Sequence, residues 1–281
     1  MNRKSTKDRA FILHCLVEGN SIRSTVRLTG ASKNTIAKLL VEVGEACTWY
    51  QQTHLINLPC KRVQVDEIWS FVYSKQKNVP QGMEDEAGSV WTWTALCADT
   101  KIVPSWFVGS RDGDSAMFFI QDLATRLSSR IQLTSDGHHA YLQAVENTFE
   151  NDIDYAMLVK LYGQTVEGGK KYRPTECSEI KKEAISGSPD TKHISTSFVE
   201  RQNLTMRMGM RRFTRKTNAF SKKFENHVWA IALHFMYYNF CRVHQTLKTT
   251  PAIAANVTTK EWSLIDVVEM MDSYFKERYS N

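Results

Sequence analysis

Three acids sit where residue type and spacing could support chemistry. Asp66 interrupts the run Val63-Gln64-Val65-Asp66-Glu67-Ile68-Trp69-Ser70-Phe71-Val72-Tyr73; Asp136 precedes Gly137-His138-His139; and Glu200 lies in Phe198-Val199-Glu200-Arg201-Gln202-Asn203. The first run is β-branched and aromatic, which predicts a strand, and a carboxylate inside a strand is costly to bury unless charge meets it there. Taken singly, each acid has a plainer reading: an edge strand with Asp66 and Glu67 in water, or a capping or solvated carboxylate. Taken together, three carboxylates meeting without basic partners would repel one another. Divalent cations resolve that conflict, and hard oxygen donors select Mg²⁺ or Mn²⁺. Two such ions about 3.5–4 Å apart would activate an attacking oxygen and stabilise a leaving one in phosphodiester chemistry.

The elements that must position these acids follow from the pattern. After the Asp66 strand comes a polar insert over 74–88 carrying Glu84-Asp85-Glu86. Strands are predicted over 89–98 and 102–109, joined by Asp99-Thr100-Lys101, so three sequential strands form an antiparallel meander. A helix over 115–128 follows, capped by Asp112 or Asp114, then a strand over 131–134 that runs into Asp136. A helix over 139–149 and a strand over 154–162 come next. The stretch 162–193 reads as an irregular loop, with Gly168-Gly169 as a turn. Helices are expected from Ser195 or Thr196 through Glu200, over 220–242 and over 261–276. This is a mixed α/β order, the plan of a ribonuclease-H-like fold. Asp136 then lies beyond the carboxyl end of a strand, where α/β sheets place ligands.

Charge points to a polyanion. From Arg201 to Lys223 there are eight Arg/Lys and no Asp/Glu, and the first fifty residues hold eight Arg/Lys against four acids. Within the late helix, Glu200, Asn203 and Arg207 share one face, and Arg211 and Arg212 extend a basic surface suited to a phosphate backbone. Near the N-terminus, helices over 6–17 and 21–28, a Thr29-Gly30-Ala31 turn and a helix capped by Ser32 follow the helix-turn-helix plan. Lys33, Asn34, Thr35 and Lys38 would face the major groove; the competing reading is a small helical bundle with a solvated face. His138 and His139 would assist proton transfer, contact phosphate, or simply start a helix.

The six cysteines form no Cys-x-x-Cys pair, which fits free thiols in a reducing compartment and argues against a zinc ribbon. The polar opening Met1–Arg9 predicts no secretory leader. The apolar stretch 227–240 is too short for a membrane span and contains His234 and Asn239. A cytoplasmic protein with no membrane partner is expected.

Three blocks carry a resemblance: Val65-Asp66-Glu67-Ile68-Trp69-Ser70-Phe71, Thr134-Ser135-Asp136-Gly137-His138-His139-Ala140-Tyr141, and Ser197-Phe198-Val199-Glu200-Arg201-Gln202-Asn203. Together they resemble the acidic blocks of bacterial DDE transposases, specifically the insertion-sequence-one family. Tyr238-Asn239-Phe240-Cys241-Arg242-Val243-His244-Gln245-Thr246-Leu247, with Thr250-Pro251-Ala252, resembles the tail block that follows the catalytic Glu in such enzymes. The resemblance implies a ribonuclease-H-like core with Asp66, Asp136 and Glu200 as metal ligands. It also implies Mg²⁺-dependent cleavage of double-stranded DNA, strand transfer, and a homo-oligomer on DNA. Arg242 and His244 would be delivered near the active face. One departure is that the cysteine-paired zinc motif often found ahead of the helix-turn-helix is missing. The expected organisation is a helix-turn-helix domain over 1–47, a linker over 48–62, a catalytic domain over 63–255 and a C-terminal helix over 256–281. The rival readings are a nuclease or integrase without its own element, and a catalytically silent DNA-binding regulator.

Overall fold

The computed structural model describes residues 4–162, 177–214 and 218–280. It opens with α1 (Thr6–Val17), α2 (Ile22–Thr29) and α3 (Lys33–His54). Each is started by a serine: Ser5, Ser21 and Ser32 accept from the backbone N–H of Asp8, Ser24 and Thr35, satisfying donors a helix start leaves orphaned. Gly30 ends α2 at φ 65°, the left-handed conformation that glycine takes without a Cβ penalty.

The central elements are β1 (Arg62–Val72), β2 (Gly88–Cys97), β3 (Trp106–Gly109), α4 (Gly113–Arg126), β4 (Gln132–Asp136), α5 (Ala140–Phe149), β5 (Asp154–Tyr162) and β6 (Cys177–Ser186). Then come α6 (Ser197–Gly209), α7 (Phe224–Met236), α8 (Pro251–Ala254) and α9 (Leu264–Ser280). The strands form one mixed sheet in the order β3-β2-β1-β4-β5-β6. β1, β2 and β3 are antiparallel neighbours, β1, β4 and β5 are parallel, and β6 returns antiparallel along the far edge. The protein is therefore a mixed α/β structure, with α4 and α5 on one face of the sheet and α6 on the other. Trp93, Phe119, Tyr141 and Tyr155 fill the layer under α4 and α5.

The structure corrects several sequence expectations. β6 lies inside the stretch predicted as an irregular loop; residues 163–176 of that stretch, including Gly168-Gly169, lie outside the described residues. Cys177-Ser178-Glu179-Ile180-Lys181-Lys182-Glu183-Ala184-Ile185 is exposed along its length, so no buried alternation marks it, and pairing with β5 makes it a strand. The third strand is shorter than predicted. Ile102 and Val103 are buried, but Val103 bonds to a side chain instead of a strand: its N–H donates to Asn239 Oδ1 (2.9 Å) and its carbonyl accepts from Asn239 Nδ2 (3.0 Å). Asn239 sits in a π-helical turn, Tyr237–Cys241, that ends the helix predicted over 220–242.

α3 also runs seven residues into the stretch predicted as a linker. No helix breaker occurs before Pro59, and Cys47 and Gln51 are buried against α7, where Gln51 Nε2 donates to the Ala232 carbonyl at 3.2 Å. α9 returns to the N-terminal helices: Arg9 on α1 ion-pairs with Asp272 at 2.6 Å, and Tyr274 donates to Glu45 of α3 at 3.0 Å. No helix among the described residues is long and apolar enough to cross a membrane.

Candidate metal centre

β1 and β4 run parallel with Gln64 opposite Thr134, and Asp66 and Asp136 each lie two residues beyond that last pair. Alternation along a strand puts both on the face that also carries Gln64. That face lies beneath α6, because Gln64 Oε1 accepts from the N–H groups of Phe198 (2.8 Å) and Val199 (3.1 Å) and so holds the helix start. Of the two residues expected to cap α6, Thr196 makes no capping bond, while Ser195 Oγ accepts from the N–H of Ser197 at 3.2 Å. Carboxylate oxygens of Asp66, Glu67 and Asp136 lie within 4.8 Å of one another.

Both aspartates are fixed by neighbours. Asp66 Oδ1 accepts from the N–H of Glu67 (2.8 Å), and its Oδ2 accepts from Asn203 Nδ2 on α6 (2.8 Å). Asp136 Oδ1 accepts from the N–H of His138 at 3.0 Å. Burial, followed by repulsion from Glu67 and Asp136, pushes the Asp66 carboxyl up to about 7.

Glu67 is a member that sequence reasoning missed. Alternation assigns it to the opposite face from Asp66, but β4 ends at Asp136 while β1 continues to Val72, so the sheet opens beside it. Its buried carboxylate pairs with Arg111 (2.6 Å) and accepts from Tyr141 Oη (3.1 Å). Burial and Asp136 raise its pKa, and Arg111 opposes that rise. Arg111 also stands over the Trp91 ring, 4.8 Å from its centre.

Glu200 stands apart from that group, and the expectation of acids without basic partners does not hold for it. Its Oε1 ion-pairs with Lys160 of β5 and accepts from Thr196 Oγ1 at 2.6 Å. Lys160 follows two residues after Leu158, the partner of Asp136 in the sheet. No strand pattern in the sequence announces Lys160 as a neighbour of Glu200, since the two meet only through the order of β4 and β5.

The donor set fits a divalent cation. It consists of hard carboxylate oxygens, and among the described residues Asp66 and Asp136 have no basic partner. Beside them Asn203 is 4% exposed, and its Oδ1 has no hydrogen-bond partner among the described residues. Asp66 and Asp136 would hold such an ion, with Glu67 or Glu200 adjoining.

The other sequence candidates divide. Asn203 is buried and bonds Asp66. Arg207 and Arg211 are exposed. Arg212 is turned inward: its Nη1 donates to Ser221 Oγ (2.6 Å) and to the Asn226 carbonyl (2.9 Å), so it braces α7. His138 packs its ring on Trp93 at 5.7 Å with Nε2 unpartnered, and His139 is exposed. His138 is lowered from the usual imidazole range, chiefly by burial and then by Arg111. Arg242 is exposed, and with Lys101 it depresses His244, behind the larger effect of burial. Arg242 and His244 lie near Lys101, in the turn after β2, which in turn lies near Arg62 at the start of β1 and stands 3.3 Å from the centre of the Phe198 ring on α6. At the N-terminus, Lys33, Asn34 and Lys38 are exposed and Thr35 half-buried; Lys38 lies 3.6 Å from Glu42 and Thr35 Oγ1 bonds Ser32 Oγ.

No family model matches this sequence, and no curated protein matches it. Among solved structures the chain is similar to a piggyBac transposase synaptic complex with hairpin DNA, at 10% identity and a TM-score of 0.43, over 99% of this chain and 74% of that one. A likeness that slight decides neither fold nor chemistry, which rest on the chain's own geometry.

Proposed function

We propose that the protein is a DNA transposase of the DDE type, related to the insertion-sequence-one family, that cuts element ends and transfers them to a target. The observation that supports this reading most is Asp66 and Asp136 on adjacent parallel strands, each two residues beyond the pair Gln64 and Thr134, with α6 and its Glu200 packed across them. The sheet order, three antiparallel strands followed by parallel ones with helical crossovers, supports a ribonuclease-H-like core.

Asp66, Asp136 and Glu200 would hold two Mg²⁺ or Mn²⁺ ions, which when bound activate the attacking oxygen and stabilise the leaving one. The chain's own residues do the positioning. Asn203 fixes Asp66, the His138 N–H fixes Asp136, and Arg111 with Tyr141 holds Glu67. The exposed first turn of α3, with Lys33, Asn34, Thr35 and Lys38, would read the element ends in the major groove. Exposed Arg207 and Arg211 beyond Glu200 would carry backbone phosphates toward the acids. Joining two ends calls for at least a dimer on double-stranded DNA.

The test is Mg²⁺-dependent nicking and strand transfer on DNA carrying the element's ends, with Asp136→Ala beside the wild type. Loss of both activities with retained DNA binding supports the reading. Cleavage without strand transfer by the wild type favours a nuclease, and activity surviving Asp136→Ala overturns the assignment of the acids.

A further inference from the structure

The two glutamates near the aspartates each have a cation supplied by the fold: Glu67 has Arg111 and Glu200 has Lys160. The two pairs differ in burial. Glu67 is 1% exposed, whereas Glu200 and Lys160 are 42% and 31% exposed. A half-exposed pair between long side chains is weak, because water screens it and both chains lose freedom to form it. Lysine also presents a compact charge on a flexible stem, able to swing between acceptors where arginine would stay locked.

Position adds a second argument. Lys160 lies on the same sheet face as Asp136, two residues beyond its level and past the end of β4, so its ammonium stands at the mouth of the acidic cleft. A phosphodiester entering that cleft meets Lys160 before it reaches the aspartates. Among the described residues the four carboxylates Asp66, Glu67, Asp136 and Glu200 are paired with the two cations Arg111 and Lys160, so negative charge remains to repel a DNA phosphate.

Resting on the metal-centre reading above, we propose that Lys160 is an exchangeable counter-ion: it holds Glu200 in the free protein and passes to a DNA phosphate, releasing Glu200 to bind a metal ion. Metal and DNA are then coupled through one ammonium group, and each strengthens binding of the other by the same factor.

The experiment has two arms, neither of which reads activity. In the first, Mn²⁺ is titrated into the free protein: Lys160→Gln should bind it about fivefold more tightly or better than the wild type, since Glu200 no longer has a resident cation. In the second, binding to a duplex is measured against salt in the presence of chelator. Glu200→Gln should bind more tightly, with a slope steeper by about one counter-ion, and Lys160→Gln/Glu200→Gln should lose that gain. Equal Mn²⁺ affinity in wild type and Lys160→Gln, or a DNA gain that persists in the double variant, overturns the exchange. Mn²⁺ uptake by Asp136→Asn as tight as that of the wild type overturns the metal-centre reading instead, and the chelator arm still reads the Lys160 contact to DNA.

Discussion

Asn203 Nδ2 donates to Asp66 Oδ2 at 2.8 Å, tying α6 to the middle of β1 across 137 positions of sequence. The bond does two things. It orients a carboxylate that has no basic partner among the described residues, and it sets how far along β1 the helix carrying Glu200 can slide. Asn203 is itself buried, and among the described residues its Oδ1 has no hydrogen-bond partner, a cost the fold carries beside the acids.

Asn203→Ala therefore separates orientation from burial. Removing a group that aligns a metal ligand typically weakens metal affinity by about 10–100-fold. Losing the hydrogen bond costs about 1–3 kcal/mol, partly offset because the orphaned Oδ1 is removed as well. Mn²⁺ titration together with urea unfolding would read the two effects. Unchanged Mn²⁺ affinity would make Asn203 a packing residue only.

The pH dependence of the metal-free protein follows from Asp66. Burial and then repulsion from Glu67 and Asp136 push its folded pKa up to about 7 from the ordinary aspartate value of 3.8, so the folded state holds the proton more tightly than the unfolded one. Stability from that proton is complete below about pH 4, is lost as pH rises toward 7, and is flat beyond. The full difference is roughly 4 kcal/mol as an upper limit. Asp66→Asn should thus unfold at higher urea than the wild type in chelator at pH 8, with the gap shrinking steadily toward pH 4. Added Mn²⁺ at pH 8 should stabilise the wild type and leave Asp66→Asn unmoved. A gap independent of pH would mean that Asp66 is ionised without penalty.

Gly44 carries the joint between the N-terminal helices and the core. A Cβ built there would lie 2.4 Å from Trp229 Cβ and 2.7 Å from its Cα, so α3 and α7 touch nearly backbone to backbone. Alanine is the better helix former by about 1 kcal/mol, but a clash with backbone typically costs 1–3 kcal/mol because neither helix can yield by turning a side chain. Gly44→Ala should lower the urea midpoint; a midpoint at or above that of the wild type would mean the two helices separate cheaply.

Much of this arrangement is legible in the chain because its signals are local. The serine caps of α2 and α3 and the β-branched run of β1 all act over a few residues, and the structure has them. The partners of the acids are not local. Lys160 meets Glu200 only because β5 lies beside β4, and Arg111 reaches Glu67 only because β4 stops where β1 continues. β6 escaped notice for a different reason: it is exposed along its length, so no buried face leaves a period-two trace. The basic run after Arg201 reads as one surface in sequence, yet a turn between Arg211 and Phe213 sends Arg212 inward.

That inward turn separates three arginines that look alike in sequence. Arg207 and Arg211 are exposed beyond Glu200, while Arg212 donates to Ser221 and Asn226, and burial lowers it to about 10. If the first two contact phosphates, Arg207→Ala and Arg211→Ala should each weaken duplex binding across sequences and flatten the salt dependence by about one counter-ion, with stability unchanged. Arg212→Ala should do the reverse. It leaves the Asn226 carbonyl and the Ser221 hydroxyl without their donor, at a cost of about 1–3 kcal/mol in unfolding, and the salt slope stays that of the wild type. Fluorescence anisotropy over a salt series, paired with urea unfolding, distinguishes the two behaviours. A flattened slope in Arg212→Ala with unchanged stability would show that this side chain faces the nucleic acid after all.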